Sequence, residues 1–213
     1  RLVSGGDHRF VVSVLCGWRD GAVVMPIERG QAAPDPAALP PSGVVHLKTT
    51  SATTGRPRLI AFTAEQLAAD CANIMATMGL SPDLPNVGAI SLAHSYGFSN
   101  LILPLLLEGV PLWLAASALP ESVRQAVERS PAVALPSVPA LWQAWHDAGI
   151  LSDRIRIAIS AGAPLPLALE QAVWRRSGVK IHNFYGSSEC GGIAYDASPV
   201  PRDDAALAGR PMQ

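Results

Sequence analysis

The chain has 213 residues, 49% of them hydrophobic and 15% charged, with a net charge of -1. That length and apolar content suffice for a packed domain and exclude a disordered chain, so the 19 Pro and 18 Gly mark turns between short elements. The balanced charge offers no basic field to nucleic acid or to an anionic membrane surface. Three scattered cysteines, Cys16, Cys71 and Cys190, form neither a disulfide framework nor a zinc set, and suit a reducing cytoplasm.

Asp7 is placed to cap a helix running to about Gly17, with Phe10, Val11, Val14 and Leu15 on one face. Residues 21–27 read as a turn and a buried strand, and the Ala/Pro-rich stretch 31–42 as a linker or surface loop. Residues 44–47 and 59–62 read as two more buried strands. Thr63 and Gln66 have the spacing of a capping box. The helix they open carries Leu67, Cys71, Ile74, Met75 and Met78 at helical spacing, and Gly79 closes it. Residues 87–92 read as a strand. The greasy run 101–120 is interrupted by Pro104, Glu108, Gly109 and Pro111, whereas a membrane span needs about 20 apolar residues. It reads instead as the end of a buried helix 96–107, a turn, and a strand 111–115. Helices at 121–129, 139–148 and 166–177 then alternate with strands at 132–135, 154–160 and 179–183. This alternation predicts an α/β fold with a largely parallel sheet flanked by helices.

In open α/β sheets ligands sit beyond the carboxyl ends of the strands. Four predicted loops carry unusual residues. The first is Thr49-Thr50-Ser51-Ala52-Thr53-Thr54-Gly55-Arg56-Pro57-Arg58. Its hydroxyls and backbone N–H groups suit phosphate oxygens, and Arg58 adds a charge-assisted contact; an ordinary Ser/Thr-rich turn is the alternative. The second is Ala93-His94-Ser95-Tyr96-Gly97-Phe98-Ser99-Asn100, the third Ser160-Ala161-Gly162-Ala163-Pro164-Leu165. The fourth is Phe184-Tyr185-Gly186-Ser187-Ser188-Glu189-Cys190-Gly191-Gly192. There is no Walker loop and no Gly-x-Ser-x-Gly elbow. Cys190 and His182 are close in sequence, which does not by itself make a dyad.

The first loop resembles the phosphate loop of the adenylate-forming superfamily, approximately Thr-Ser-Gly-Thr-Thr-Gly-x-Pro-Lys. That superfamily includes acyl-CoA synthetases, peptide-synthetase adenylation domains and luciferases. Ser51, Thr53, Thr54, Gly55 and Pro57 match, while Ala52 stands for a glycine and Arg58 for the lysine. The fourth loop resembles the family's Tyr-Gly-x-Thr-Glu motif with Ser188 for Thr, and the third its Gly-Gly-Ala-Pro-Leu segment. The resemblance implies the layered parallel-sheet core of the family's large N-terminal domain. It also implies ATP-dependent activation of a carboxylic acid to an acyl-adenylate, then transfer to coenzyme A or a carrier-protein phosphopantetheine. A fatty or other acyl acid is expected, with an aryl-acid or carrier-loading domain, or a non-catalytic scaffold, as the alternatives.

Carried over by position, the phosphates fall to Thr50, Ser51, Thr53, Thr54, Gly55 and Arg58. Adenine or AMP falls to Gly162, Ala163, Pro164, Asn183, Phe184, Tyr185, Gly186, Ser187 and Ser188. Ser188 faces the α-phosphate, Glu189 holds Mg²⁺, and His94 stands beside the acyl entrance. Tyr96, Gly97, Ser99 and Asn100 are expected in the acyl pocket wall. No Asp or Glu lies between Ala93 and Asn100 to pair a substrate amine, which disfavours an α-amino acid. By the same resemblance, 1–30 is a helix–strand remnant of a first subdomain, 31–42 a linker, and 43–213 the AMP-binding subdomain. The family's ribose-binding Asp and C-terminal lid would fall beyond Gln213. The chain is therefore expected to be an incomplete catalytic domain, inactive or weakly active alone.

Overall fold

The computed structural model describes residues 1–32, 40–50 and 58–212. The middle of the expected linker, and Ser51, Thr53, Thr54 and Gly55 of the phosphate loop, lie outside the described residues.

The chain opens with β1 (Leu2–Ser4), α1 (His8–Arg19) and β2 (Met25–Ile27), the two strands pairing in parallel. Asp7 caps α1 as expected, its Oδ1 accepting from the N–H groups of Arg9 at 2.9 Å and Phe10 at 3.4 Å. Phe10, Val14 and Gly17 form the buried stripe. Leu15, expected on that face, is 46% exposed, because it falls off the i, i+4, i+7 row.

Next come β3 (Val44–Thr49) and β4 (Leu59–Thr63), antiparallel, with Thr49 opposite Leu59. Residues 50–58 therefore connect two paired strands. Val24 bridges β2 to β3 through two 2.9 Å backbone bonds, to Val45 and from Leu47. The expected capping box starts α2 (Ala64–Met78): Thr63 accepts from Gln66 N–H at 3.3 Å and donates its own N–H to Gln66 Oε1 at 2.9 Å.

The rest of the chain builds the main sheet. Its strands are β5 (Asn86–Gly88), β6 (Leu112–Leu114), β7 (Val133–Ser137), β8 (Ile155–Ser160), β9 (Ile181–Ser187), β10 (Gly191–Tyr195) and β11 (Arg210–Pro211). They lie in the order β6-β5-β7-β8-β9-β10-β11. Pairing is parallel from β6 to β9 and antiparallel for the last two. The intervening helices are α3 (Ser95–Gly97), a π-helical turn (Phe98–Ile102), α4 (Leu103–Glu108), α5 (Pro120–Val127), α6 (Pro139–Asp147) and α7 (Leu167–Ser177).

Side chains on these strands alternate between two buried faces. Val133, Leu135 and Ala158 pack on Trp142, Trp145, Leu169 and Val173 of α6 and α7. Ala134 and Ile159 face the other way, onto Ile74 and Met78 of α2. A third cluster joins Phe10, Val14, Phe62, Leu67, Phe98 and Leu101, so the segment 1–30 shares its core with the β3–β4 hairpin. Among the described residues no helix is long and apolar enough to cross a membrane.

Two local expectations are corrected. The strand expected at 87–92 stops at Gly88. From there the chain leaves the sheet and passes under the next helix, where Gly97 lies so close to the Ser91 carbonyl that any Cβ would collide with it. The fourth stretch is not a loop. Residues 184–187 belong to β9 and Gly191 and Gly192 to β10, paired with Gly191 opposite Ser187 and Gly192 opposite Gly186. Only 188–190 turn.

The expected helix 96–107 is present in three parts. Pro104 has no N–H to give the Asn100 carbonyl. Asn86 Nδ2 donates to that carbonyl instead, at 3.3 Å, inside the core. The π turn places Ser99 and Asn100 one after the other on the inner side of the helix, both buried.

Candidate functional site

The chain crosses over at β5, whose neighbours are β6 and β7; ligands bind beyond such switch points. A cavity of about 410 Å³ opens farther along the same edge, beyond the carboxyl end of β8 and beside the β9–β10 hairpin. The described residues lining it come from the β3–β4 hairpin (Lys48, Thr50, Arg58), the start of the α3 helix (His94, Ser95, Tyr96, Ser99, Asn100), the end of β8 (Ala161, Gly162) and the β9–β10 hairpin. The hairpin contributes Phe184, Gly186, Ser187, Ser188, Glu189, Gly191 and Gly192.

Thr50 and Arg58 flank the hydroxyl run expected to bind phosphate. Thr50 N–H donates to the Arg58 carbonyl at 3.0 Å, and Arg58 N–H to Thr50 Oγ1 at 3.1 Å. Ser188 Oγ accepts from Ser95 Oγ at 2.9 Å, which ties the β9 hairpin to the α3 helix across the mouth. Glu189 is exposed on the turn, its N–H held by Ser187 Oγ at 3.2 Å. His94 is also exposed, and its Nδ1 accepts the Tyr96 N–H at 3.3 Å, so the ring caps the helix while lining the cavity. Tyr96 donates its hydroxyl to the Ile159 carbonyl at 3.3 Å and packs on Phe184 with ring centroids 5.9 Å apart. Burial pushes its phenol pKa far up, so it remains a neutral donor.

Other expected residues stand outside the lining. Ala163 and Pro164 are exposed beyond Gly162. Asn183 donates to the Ala208 carbonyl at 3.4 Å, and Tyr185 is 54% exposed on β9. Gly97, expected in the pocket wall, is a packing residue against Ser91. Cys190 Sγ lies 3.3 Å from Ser187 Oγ, while His182 Nδ1 lies 2.8 Å from the Asp196 carbonyl and its ring stacks on Tyr195. No thiol–imidazole dyad forms between them.

A buried polar cluster at the inner end escaped the sequence reading. Lys48 is 4% exposed, with Nζ 3.0 Å from Ser99 Oγ and 3.8 Å from Asp70 Oδ2. Ser99 Oγ donates to Asp70 Oδ2 at 2.7 Å, and Asp70 Oδ1 accepts the Gly192 N–H at 3.3 Å. Burial pulls the Lys48 pKa down, and Asp70 opposes the shift. Gly191 has φ +74° and its α-carbon abuts the Asp70 carboxylate, a place only glycine fills without strain. One signal was available: Lys48 is a charged residue placed between the apolar run 44–47 and the hydroxyl run.

Chemically, the described residues of the mouth offer hydroxyl donors (Thr50, Ser95, Ser187, Ser188), the Arg58 guanidinium and the Glu189 carboxylate. Among the described residues no cluster of three or more His, Cys, Asp or Glu is built to hold a metal. Mg²⁺ needs none, since it takes one or two carboxylates and fills its other positions with phosphate oxygens and water. The donor set fits a Mg²⁺–polyphosphate.

The profile of a protein family described as AMP-binding enzyme matches residues 16–213. A feruloyl-CoA synthase from an Amycolatopsis species is 29% identical over 197 residues, 88% of this chain and 39% of that protein. A 4-coumarate–CoA ligase from Rhodobacter capsulatus is 28% identical over 152 residues, 70% of this chain and 39% of that protein. The chain thus spans 39% of the length of each of these relatives. Among solved structures, a malonyl-CoA ligase bound to methylmalonyl-CoA and AMP superposes with a TM-score of 0.82, at 17% identity, over 100% of this chain and 57% of that one. At that identity the likeness is one of fold.

Proposed function

The chain belongs to the AMP-binding enzyme family, and from that premise we propose that it carries the nucleotide and acid sites of an AMP-forming acid–thiol ligase. The observation that carries this reading is the convergence of Thr50, Arg58, Ser95, Ser188 and Glu189 on one cavity beyond the carboxyl end of β8 and beside the β9–β10 hairpin. In the proposed reaction a carboxylate oxygen attacks the α-phosphorus of ATP. The acyl–O–P bond forms, the α–β bridge breaks, and pyrophosphate leaves. A thiolate then attacks the acyl carbon and AMP departs, the thiol proton going to water.

The chain's part is mostly electrostatic and positional. Arg58 and the loop hydroxyls hold the phosphates. Ser188 exchanges its bond with Ser95 for the α-phosphate. Glu189 holds Mg²⁺, which neutralises phosphate charge. Asn183, Tyr185 and the backbone of 162–164 border the adenine. Residues 43–213 form the AMP-binding part, with 1–30 buttressing its hairpin.

Two relatives among those at 28–29% identity, the feruloyl-CoA synthase and the 4-coumarate–CoA ligase, are named for CoA thioesters of aryl acids. That favours an aryl acid over a fatty acid, and coenzyme A over a carrier protein, as substrates, in a cytoplasmic setting. The test is Mg²⁺-dependent ATP–pyrophosphate exchange against fatty, aryl and amino acids, with calorimetry of Mg·ATP binding to this chain. Binding that weakens about tenfold or more in Glu189→Ala supports the reading. Absence of Mg·ATP binding to the unaltered chain overturns it.

A further inference from the structure

The cavity has two unlike ends. Arg58, His94 and Glu189 are exposed at its mouth, whereas Lys48, Ser99 and Asn100 are buried at 4%, 4% and 1% exposure. Lys48 lies in β3 two residues before Thr50, so it stands about 7 Å back along the chain from the exposed mouth. If phosphates occupy the mouth, the tail of the acid points toward Lys48.

Resting on the ligase reading above, we propose that Lys48 is a specificity-determining residue that selects acids whose far end carries a neutral oxygen acceptor: a hydroxyl, ether or keto group. An ammonium has three N–H donors. Among the described residues one reaches Ser99 Oγ at 3.0 Å, while Asp70 Oδ2 stands at 3.8 Å and the Phe62 ring beneath at 4.6 Å, which leaves a donor for the cavity that Lys48 lines. An alkyl tail would cover that donor without satisfying it. A second carboxylate would be wrong for the opposite reason. Lys48 is already neutralised by Asp70, so another buried anion would leave an uncompensated negative charge. A neutral oxygen accepts the hydrogen bond and leaves the charge balance intact.

The cluster is also held in place, as a specificity device must be. Ser99 Oγ bridges both charges, and Gly192 N–H fixes the second Asp70 oxygen, so β3, α2, the π turn and β10 all position one ammonium. A purely structural ion pair would need no opening to the cavity.

The experiment is calorimetric titration of this chain with acyl-sulfamoyl-adenosines, in which a sulfamate replaces the reactive phosphate. The acyl groups are cinnamoyl with para-hydroxyl, para-methyl or para-carboxyl, and sulfamoyl-adenosine without an acyl group is the reference. We expect the hydroxyl compound to bind about ten- to hundredfold more tightly than the methyl compound, and the carboxyl compound most weakly. Lys48→Met alone would strand the Asp70 charge, so Lys48→Met/Asp70→Asn is used. In it the hydroxyl preference falls to near unity or inverts while the reference still binds. Equal binding of hydroxyl and methyl compounds, preference for the carboxyl compound, or an unchanged ratio in the double variant overturns the role of Lys48. Failure of the reference itself to bind overturns the ligase reading and this inference with it.

Discussion

His46 shows how much one residue's burial decides. It is fully buried, 4.3 Å from the Phe98 ring centroid and 6.1 Å from Trp18, and neither ring nitrogen has a partner among the described residues. Burial, with the charge of Lys48, drops its pKa from 6.5 to about 3. In the unfolded chain the ring takes a proton below about pH 6.5; in the folded one it does not until far lower. The unfolded state therefore binds more protons across that window. Stability is full above pH 6.5 and falls by about 1.4 kcal/mol per unit as pH drops toward 3. Thermal melts of His46→Phe and the unaltered protein between pH 7 and 4 test this. The variant should gain on the parent at each acid step, and a constant difference would refute the account. The hydroxyl run, Arg58 and Glu189 stood out in the sequence as site candidates because their chemistry is rare in such order. Lys48 and Asp70 were not, since a pair 22 positions apart declares itself only when β3 and α2 touch.

At the scale of elements, local chemistry was read well and close packing was not. The caps of α1 and α2 are contacts within three residues, so the sequence displays them whole. Thr63→Ala should cost about 1 kcal/mol by removing one half of the capping box, read as a lowered melting temperature. Gly97→Ala should cost more, about 1–3 kcal/mol, because the methyl meets the Ser91 backbone rather than a yielding side chain. It should also push the β5–α3 segment outward and weaken nucleotide binding through His94 and Ser95, whereas Thr63→Ala should leave binding alone. The hairpin β9–β10 looked like a loop because it is rich in Gly and Ser. Its extended form comes from the pairing of β9 with β10, not from propensity.

At the scale of the whole molecule, a buried ion network clamps the last part of the chain to the sheet. Glu170 on α7 has 0% exposure and binds Lys180 through one oxygen and Arg202 through the other. Lys180 also reaches Asp196, and Arg202 donates to the Leu165 and Leu207 carbonyls. Removing one partner strands the others away from water. Glu170→Ala should therefore cost about 3–5 kcal/mol, and hydrogen exchange should quicken across 202–212 before it does in β7 and β8. Uniform quickening everywhere would show that the network has no local role. The same tail brings Ala208 against Asn183, so loosening it should also disturb the edge of the cavity.

The sequence alone determined the α/β class, the order of elements and the two motifs that name the family. Each depends on periodicity or on residues adjacent in the chain. Tertiary structure alone decided that Thr50 and Arg58, the helix start after β5 and the β9 turn share one cavity. It alone decided that Lys48, Ser99 and Asp70 form its inner end, and that Gly97 serves packing rather than the pocket. These outcomes depend on which strands become neighbours and how closely backbones approach, and no spacing along the chain encodes that distance.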